Sequence, residues 1–498
     1  MEPTKPEKTL FNDFIASVVV VLVALPLCIG IAIASGVPPS VGILTGVIGG
    51  LVVSSLSGSP LQVSGPAAGL VVLVVELSRQ HGFETLGLII IVAGMLQFTS
   101  GLFGLGQWFR AVPPSVIHGM LSGIGLLLIA SQFQVMFDKS PNPSGLQNLL
   151  AIPNTILQAF SGGTNQQAAA LLGIATILIV LLWERFIRGP LKNIPGSLVA
   201  VITATAGCVV LNLPVKHVEI PSAIFESIRL PTMASIQQFK TFELLVDALA
   251  LAFVASAETM LTAAAIDKMS LRSRTDYDKE LRAQGVGNLL SGFLGLLPIT
   301  GVIARSGVNV KAGAMTRLSA IMHGVWLIAF VLVLPQVLRM VPIAALAALL
   351  VLTGYKLFLS KEAQELRKYG KAEVAIYAIT LSSIIIFDLL TGVIVGVVLS
   401  VAKLLYVFSH LSVRVEKQPE PDSDIQIMYL SGAATFLSLP KLAQALDAVP
   451  PGSELHVHLE AVEYIDHACL DLLTSWEKQH TASGGLLIID WGVLSAKF

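Results

Sequence analysis

The sequence predicts an α-helical polytopic membrane protein of fourteen spans, followed by a small α/β domain. Three observations predict it. Hydrophobic residues make up 54% of the 498 and charged residues only 13%, with a mean hydropathy of +0.78, whereas soluble domains carry roughly a quarter charged residues. Apolar runs follow one another at the length a bilayer requires, since a core of about 30 Å takes roughly 20 helical residues. After Leu411 the composition changes abruptly to polar.

Residues 1–12, a polar start with no small-residue cleavage pattern, read as an N-terminal segment before a retained span. Residues 13–411 form the transmembrane domain. Continuous apolar runs cover about 13–35, 40–57, 85–105, 114–137, 167–187, 194–213, 242–267, 318–341, 343–358 and 372–410, the last long enough for two. Three segments broken by Gly and Pro, about 61–78, 283–296 and 298–313, bring eleven spans to fourteen. Basic residues gather in three loops that this count puts on one side: Arg185, Arg188 and Lys192; Lys268, Arg272, Arg274, Lys279 and Arg282; Lys356, Lys361, Arg367, Lys368 and Lys371. The opposite loop, 138–165, holds only Lys139, so both termini are expected in the cytoplasm. Residues 412–424 read as a linker. Residues 425–498 alternate strand and helix, the pattern of a small regulatory or docking module.

Composition also excludes classes. With 31 basic and 32 acidic residues the net charge is −1, so no basic excess is available for a nucleic-acid backbone. Cys28, Cys208 and Cys469 are isolated, with neither metal-ligand nor disulfide spacing. No cofactor is expected, and no nucleophile–base pair, metal triad or paired carboxylates in the spans suggest an enzyme.

Irregular backbone at membrane depth is tolerated only where it is buried or lines a cavity. The third and tenth spans are both interrupted and lie seven apart, as paired interruptions do in transporters built from inverted repeats. LQVSG (61–65) is expected to be extended before a helix beginning at Pro66, and PITGVI (298–303) before a helix carrying Arg305. Two facing helix N-termini, with Arg305 beside them, favour an anion. The alternative is that these glycines only permit close helix packing. Glu258 stands in an otherwise apolar span, where a carboxylate costs at least ~2.5 kcal/mol and so faces a partner or water. Thr262, one turn later, adds a hydroxyl that helps hold a proton or a sodium ion; the alternative is an interhelical hydrogen bond. His118 and His323 read as helix contacts, with proton relays as the alternative, and Asp247 as solvated near its span's outer end.

ALPLCIGIAIASGVPPSVGILTG, SGPAAG, ETMLTAAAIDKMS, GVGNLLSGFLGLLPITGVIARSGVNVKAGAMTRLSA and PIAALAALLVLTGYKLF occur in this order. Together they resemble the SulP family of anion transporters, over nearly the whole chain. YLSGAATF and AVEYIDHACLDLL are similar to the family's C-terminal STAS domain. The resemblance implies two inverted repeats of seven spans, a core domain moving against a gate domain, and a homodimer. It places the anion between Ser64, Gly65, Pro66, Ala67 and Ala68 and Gly301, Val302, Ile303 and Ala304, with Arg305 beside it and Pro26, Leu27 and Ile31 as an apolar wall. Glu258 matches an acidic position linked to protons in some members and, as aspartate, to sodium in bicarbonate transporters; Thr262 matches a companion ligand. Ile303 departs from the sodium-dependent members, which carry a threonine there. In the STAS-like segment His467, Ala468 and Cys469 follow Asp466 where a phosphorylatable serine often stands, so control by phosphorylation there is not expected, and the usual closing helix is absent. The implied function is cation-coupled uptake of bicarbonate or sulfate at the inner membrane. The alternatives are a dicarboxylate symporter, an anion channel or exchanger, and a nucleobase permease of the same fold.

Overall fold

Residues 18–34 contain no polar side chain, and they run as a single helix, α1 (Pro6–Ala34), through Pro26, which removes one internal hydrogen bond without ending it. The computed structural model describes residues 6–107, 113–142, 144–161, 164–187, 194–219, 227–231, 242–270, 274–333, 335–359, 365–417 and 425–489. Arg188, Lys192, Arg272, Lys361 and the end of the last predicted strand fall outside them. Pro38 and Pro39 open α2 (Pro39–Leu56), which passes through a π turn at Gly49–Val53. Strand β1 (Ser64–Pro66) and a 3₁₀ turn (Ala68–Leu70) lead into α3 (Val71–Leu102). Gly82, at φ 79° and ψ 163°, breaks α3 into two arms, a conformation that side-chain-bearing residues rarely adopt. α4 (Pro114–Met136), α5 (Gly145–Ser161), α6 (Thr164–Phe186) and α7 (Gly196–Leu211) follow.

The next stretch again places a short strand between helices. It comprises α8 (Phe242–Met269), α9 (Tyr277–Phe293), strand β2 (Ile299–Gly301), α10 (Ile303–Lys311), α11 (Leu318–Val333), the short α12 (Pro335–Arg339), α13 (Ile343–Phe358), α14 (Lys371–Ile386) and α15 (Leu389–Ser409). Among the described residues, seven helices are long and apolar enough to cross a bilayer, and α7, α11 and α13 are shorter apolar helices. One core joins Val21, Leu25 and Ile29 of α1 to Ile43, Val180, Leu327 and Leu346. Apolar side chains such as Leu171, Ile202 and Val398 are exposed, as lipid-facing residues are.

Four details differ from the sequence reading. Pro66 does not start a helix: it lies in β1, and the helix begins with Ala68. Residues 145–161, read as loop, form the amphipathic α5, whose Thr155 donates to Gln134 of α4 at 2.6 Å. Asp247, read as solvated, faces His81 at 2.8 Å with 14% of its side chain exposed. The first part of the presumed linker is strand β3 (Leu411–Lys417), because Leu411, Val413 and Val415 alternate with polar residues.

The chain divides into two units, Met1–Gly396 and Val397–Phe498, with the division falling inside α15. The second unit is a four-stranded sheet of order β3-β4-β5-β6, where β4 is Ile425–Ala434, β5 Glu454–Ile465 and β6 Leu486–Ile489. β3 is antiparallel to β4, and the other pairs are parallel. α16 (Leu439–Asp447) and α17 (His467–Ala482) pack Leu442, Leu446, Cys469 and Leu473 against Met428, Leu430 and Val457.

Candidate functional site

The two interrupted segments meet. β1 pairs antiparallel with β2 in the register Ser64↔Gly301, Gly65↔Thr300 and Pro66↔Ile299, and Val302 donates its N–H to the Val63 carbonyl at 3.0 Å. Hydrogen-bonded and non-bonded pairs alternate in such a ribbon. The backbone groups of Gly301, Ile299 and Pro66 therefore point outward, and each is met by a side chain. Gly301 N–H donates to Thr259 Oγ1 and its carbonyl accepts from Thr262 Oγ1, both at 3.0 Å from α8. Ile299 N–H donates to Asn288 Oδ1 at 2.7 Å and its carbonyl accepts from Asn288 Nδ2 at 3.0 Å. The Pro66 carbonyl accepts from Arg305 Nη2 at 3.2 Å. That bond, and the missing proline N–H that the unbonded register position tolerates, account for Pro66 sitting in the strand.

Each strand runs into a helix whose first residue is preceded by an extended one, Ala67 (φ −115°, ψ 139°) or Val302 (φ −106°, ψ 110°), and neither helix start has a side-chain cap. The first helical bonds are Leu70 N–H to Ala67 and Ser306 N–H to Val302. This leaves the N–H groups of Ala68 and Gly69, and of Ile303, Ala304 and Arg305, without intrahelical partners. Such helix starts carry partial positive charge and bind anions. Ile303 is 49% exposed and Ala304 is exposed beside it, so the α10 start is open.

Arg305 is fully buried, and among the described residues its Nε and Nη1 have no hydrogen-bond partner. Its guanidinium lies against Gly65, where an added Cβ would sit 2.5 Å from Nη1. Glu258 is half-buried on α8 on the other strand's side: its Oε2 accepts from Thr300 Oγ1 over a long 3.5 Å, and it abuts Gly69, where a Cβ would sit 2.6 Å from Oε1. Among the described residues neither Arg305 nor Glu258 is in an ion pair. The ribbon thus stands between a cation with free donors and a carboxylate with free lone pairs.

The structure therefore brings Ser64 through Ala68, Gly301 through Arg305, Glu258 and Thr262 together. Pro26, Leu27 and Ile31 are buried on α1, whose packing against the approach to β1 runs through Ala16 beside Leu61 and Val20 beside Val63. Thr259, Thr300 and Asn288 were not singled out from sequence. Asn288 had a signal, a polar side chain within an otherwise small and apolar stretch, and the flanking glycines masked it. Cys469 is buried under the Asp466 cap, and burial together with the Asp466 carboxylate pushes its thiol up to about 12. Among the described residues no cluster of three or more His, Cys, Asp or Glu could hold a metal ion.

Paired discontinuous helices meeting at uncapped N-termini define a helical membrane transporter. Residues 10–380 match the sulfate permease family, and the chain belongs to it; the family consists of anion transporters, not enzymes. It is 29% identical over 503 residues to a putative sulfate transporter, YvdB, of Bacillus subtilis, covering 96% of this chain and 91% of that one. It is 25% identical to the bicarbonate transporter BicA of Synechocystis, covering 78% and 69%. Murine Slc26a9, an anion transporter solved in the inward-facing state, superposes with a TM-score of 0.78 at 16% identity, over 99% of this chain and 88% of that one. The transmembrane domain of a cyanobacterial BicA superposes at 0.66 with 24% identity, over 78% and 97%.

Proposed function

We propose that this protein is a secondary transporter that carries a small oxyanion, sulfate or bicarbonate, across a bacterial-type inner membrane by cation-coupled symport. The observation that carries this reading is Arg305, fully buried with two unpartnered donor atoms beside two uncapped helix starts. A buried charge without a partner is costly, and an anion in the site offsets that cost. The names of the relatives, which cover sulfate and bicarbonate, support the substrate class.

Within that class the site supports proton-coupled sulfate best. Residue 303 is isoleucine, so a sodium ion would find one hydroxyl fewer than a threonine there would give. A glutamate that is only half-buried and, among the described residues, held by one long bond is suited to taking and releasing a proton. Bicarbonate with a proton would amount to moving carbon dioxide, which removes the reason for a carrier. Sodium-coupled bicarbonate is the second reading, favoured by the convergence of Glu258 and Thr262 on β2. The proposal takes fourteen spans as seven plus seven inverted repeats and a core domain moving elevator-like against a gate. It also takes both termini as cytoplasmic, a STAS-like terminal unit, a homodimer and no nucleic-acid partner.

Uptake of labelled sulfate and bicarbonate into proteoliposomes, under an imposed proton or sodium gradient, tests it. Sulfate accumulation driven by protons is expected. Sodium-driven bicarbonate uptake would establish the second reading, and conductance that never concentrates either anion would make the protein a channel.

A further inference from the structure

On α9 four buried polar side chains, Glu280, Gln284, Asn288 and Ser291, recur at intervals of four, four and three, which puts them on one helix face. Polar groups inside a membrane domain are costly unless bonded, and these are bonded mainly to the two strands and the segments that lead into them. Glu280 accepts from the Gly58 and Ser59 N–H groups at 2.9 and 3.1 Å, from Ser57 Oγ, and from Gln62 and Gln284 Nε2 at 2.7 and 2.9 Å. It thereby fixes the loop that enters β1. Gln284 Nε2 also donates to Ser64 Oγ at 2.8 Å, in β1 itself. Asn288 meets both backbone groups of Ile299, so its amide serves as a one-residue third strand on the outer edge of β2. Ser291 holds the Leu297 carbonyl, just before β2.

The ladder also reaches the carboxylate's helix. Asn288 Nδ2 donates to Gln97 Oε1 at 2.7 Å, and Gln97 Nε2 donates to Ser256 Oγ at 3.1 Å, two residues before Glu258. α9 itself is seated closely against the second arm of α3: a Cβ at Gly285 would lie 2.5 Å from the Phe98 nitrogen.

We propose that Glu280, Gln284 and Asn288 are positioning residues that hold β1 and β2, and through them the free N–H groups at the starts of the two half-helices, in register for the anion. This rests on the strand pair being the anion site. None of the three need touch the ion. They act by fixing where Ile299 and Ser64 stand, and the strands run directly into the donors, so a shift of the strand is a shift of the site.

The test is labelled sulfate and bicarbonate uptake into proteoliposomes by Asn288→Ala, Gln97→Met and Arg305→Ala, normalised to folded protein by monodisperse elution. Asn288→Ala is expected to raise KM for the transported anion about tenfold, with Vmax per folded molecule nearly unchanged. Gln97→Met, which removes the partner that orients Asn288 together with its link to Ser256, is expected to raise KM about threefold, and the double variant no further than Asn288→Ala alone. A purely structural role would lower the folded yield and leave KM where it was. Unchanged KM in Asn288→Ala alongside weakened binding in Arg305→Ala overturns the positioning role and leaves the site standing; unchanged KM in both removes the site itself. If Asn288→Ala does not fold, the KM of Gln97→Met decides.

Discussion

Glu258 and Glu280 are both carboxylates in the membrane domain, on consecutive helices that grip the same ribbon, and they are held in opposite ways. Glu280 is completely buried and accepts five hydrogen bonds from the loop before β1 and from Gln284. Glu258 is half-buried and accepts one, at 3.5 Å. Five donors hold a carboxylate immobile, the condition for a structural clamp. A single long bond leaves one with the freedom that the proposed proton exchange or cation binding needs. What separates a load on the fold from a working group here is the number of donors, not depth alone.

The largest expected effect breaks the comparison on the Glu258 side. Glu258→Gln should cut gradient-driven uptake by about a hundredfold while anion exchange persists, within the range that loss of a proton-transfer group gives; uptake still driven by the gradient would refute the coupling role. Next, Arg305→Ala should weaken anion binding by about tenfold, because one charge-assisted contact is lost; scintillation proximity binding reads it, and wild-type affinity would show that the guanidinium does not contribute. Thr300→Val should lower the coupled rate only about twofold to threefold, since a bond of that length contributes little. The smallest effect lies on the Glu280 side: Ser57→Ala leaves four of five donors and should cost roughly 1 kcal/mol in thermal unfolding in detergent, with KM unchanged. A change in coupling from Ser57→Ala would erase the distinction between the two carboxylates.

Much of this site was legible in the sequence because Gly and Pro inside apolar runs are conspicuous. LQVSG and PITGVI marked the two strands, and Glu258 marked itself as the one acidic residue at the middle of its span. The details that escaped were those settled by partners distant in sequence. Pro66 reads as a helix start until Arg305, far along the chain, takes its carbonyl. The α9 stripe is diluted by Gly285, Gly287 and Gly292, so a hydropathy scan sees a weak span where the structure has a polar ladder. Thr259 and Thr300 look like ordinary small residues until β2 sets Gly301 N–H on Thr259 Oγ1 and Thr300 Oγ1 against Glu258. In the terminal unit, by contrast, the strands and helices after β3 follow the local pattern closely, because each amphipathic face is complete within a few residues.

The pairing of β1 with β2 also sets an order of assembly. Chains are made and inserted from the N-terminus, so Ser64–Pro66 leaves the translocon with most of the membrane domain still to be synthesised, and its partner strand does not yet exist. Lipid offers that backbone nothing to bond with. The first half must therefore keep this segment in water or sheltered among its own helices, and the proposed anion site comes into being late, when α8 to α10 arrive and close the ribbon. A chain truncated before Gly301 would insert most of its helices and hold only half of the proposed site.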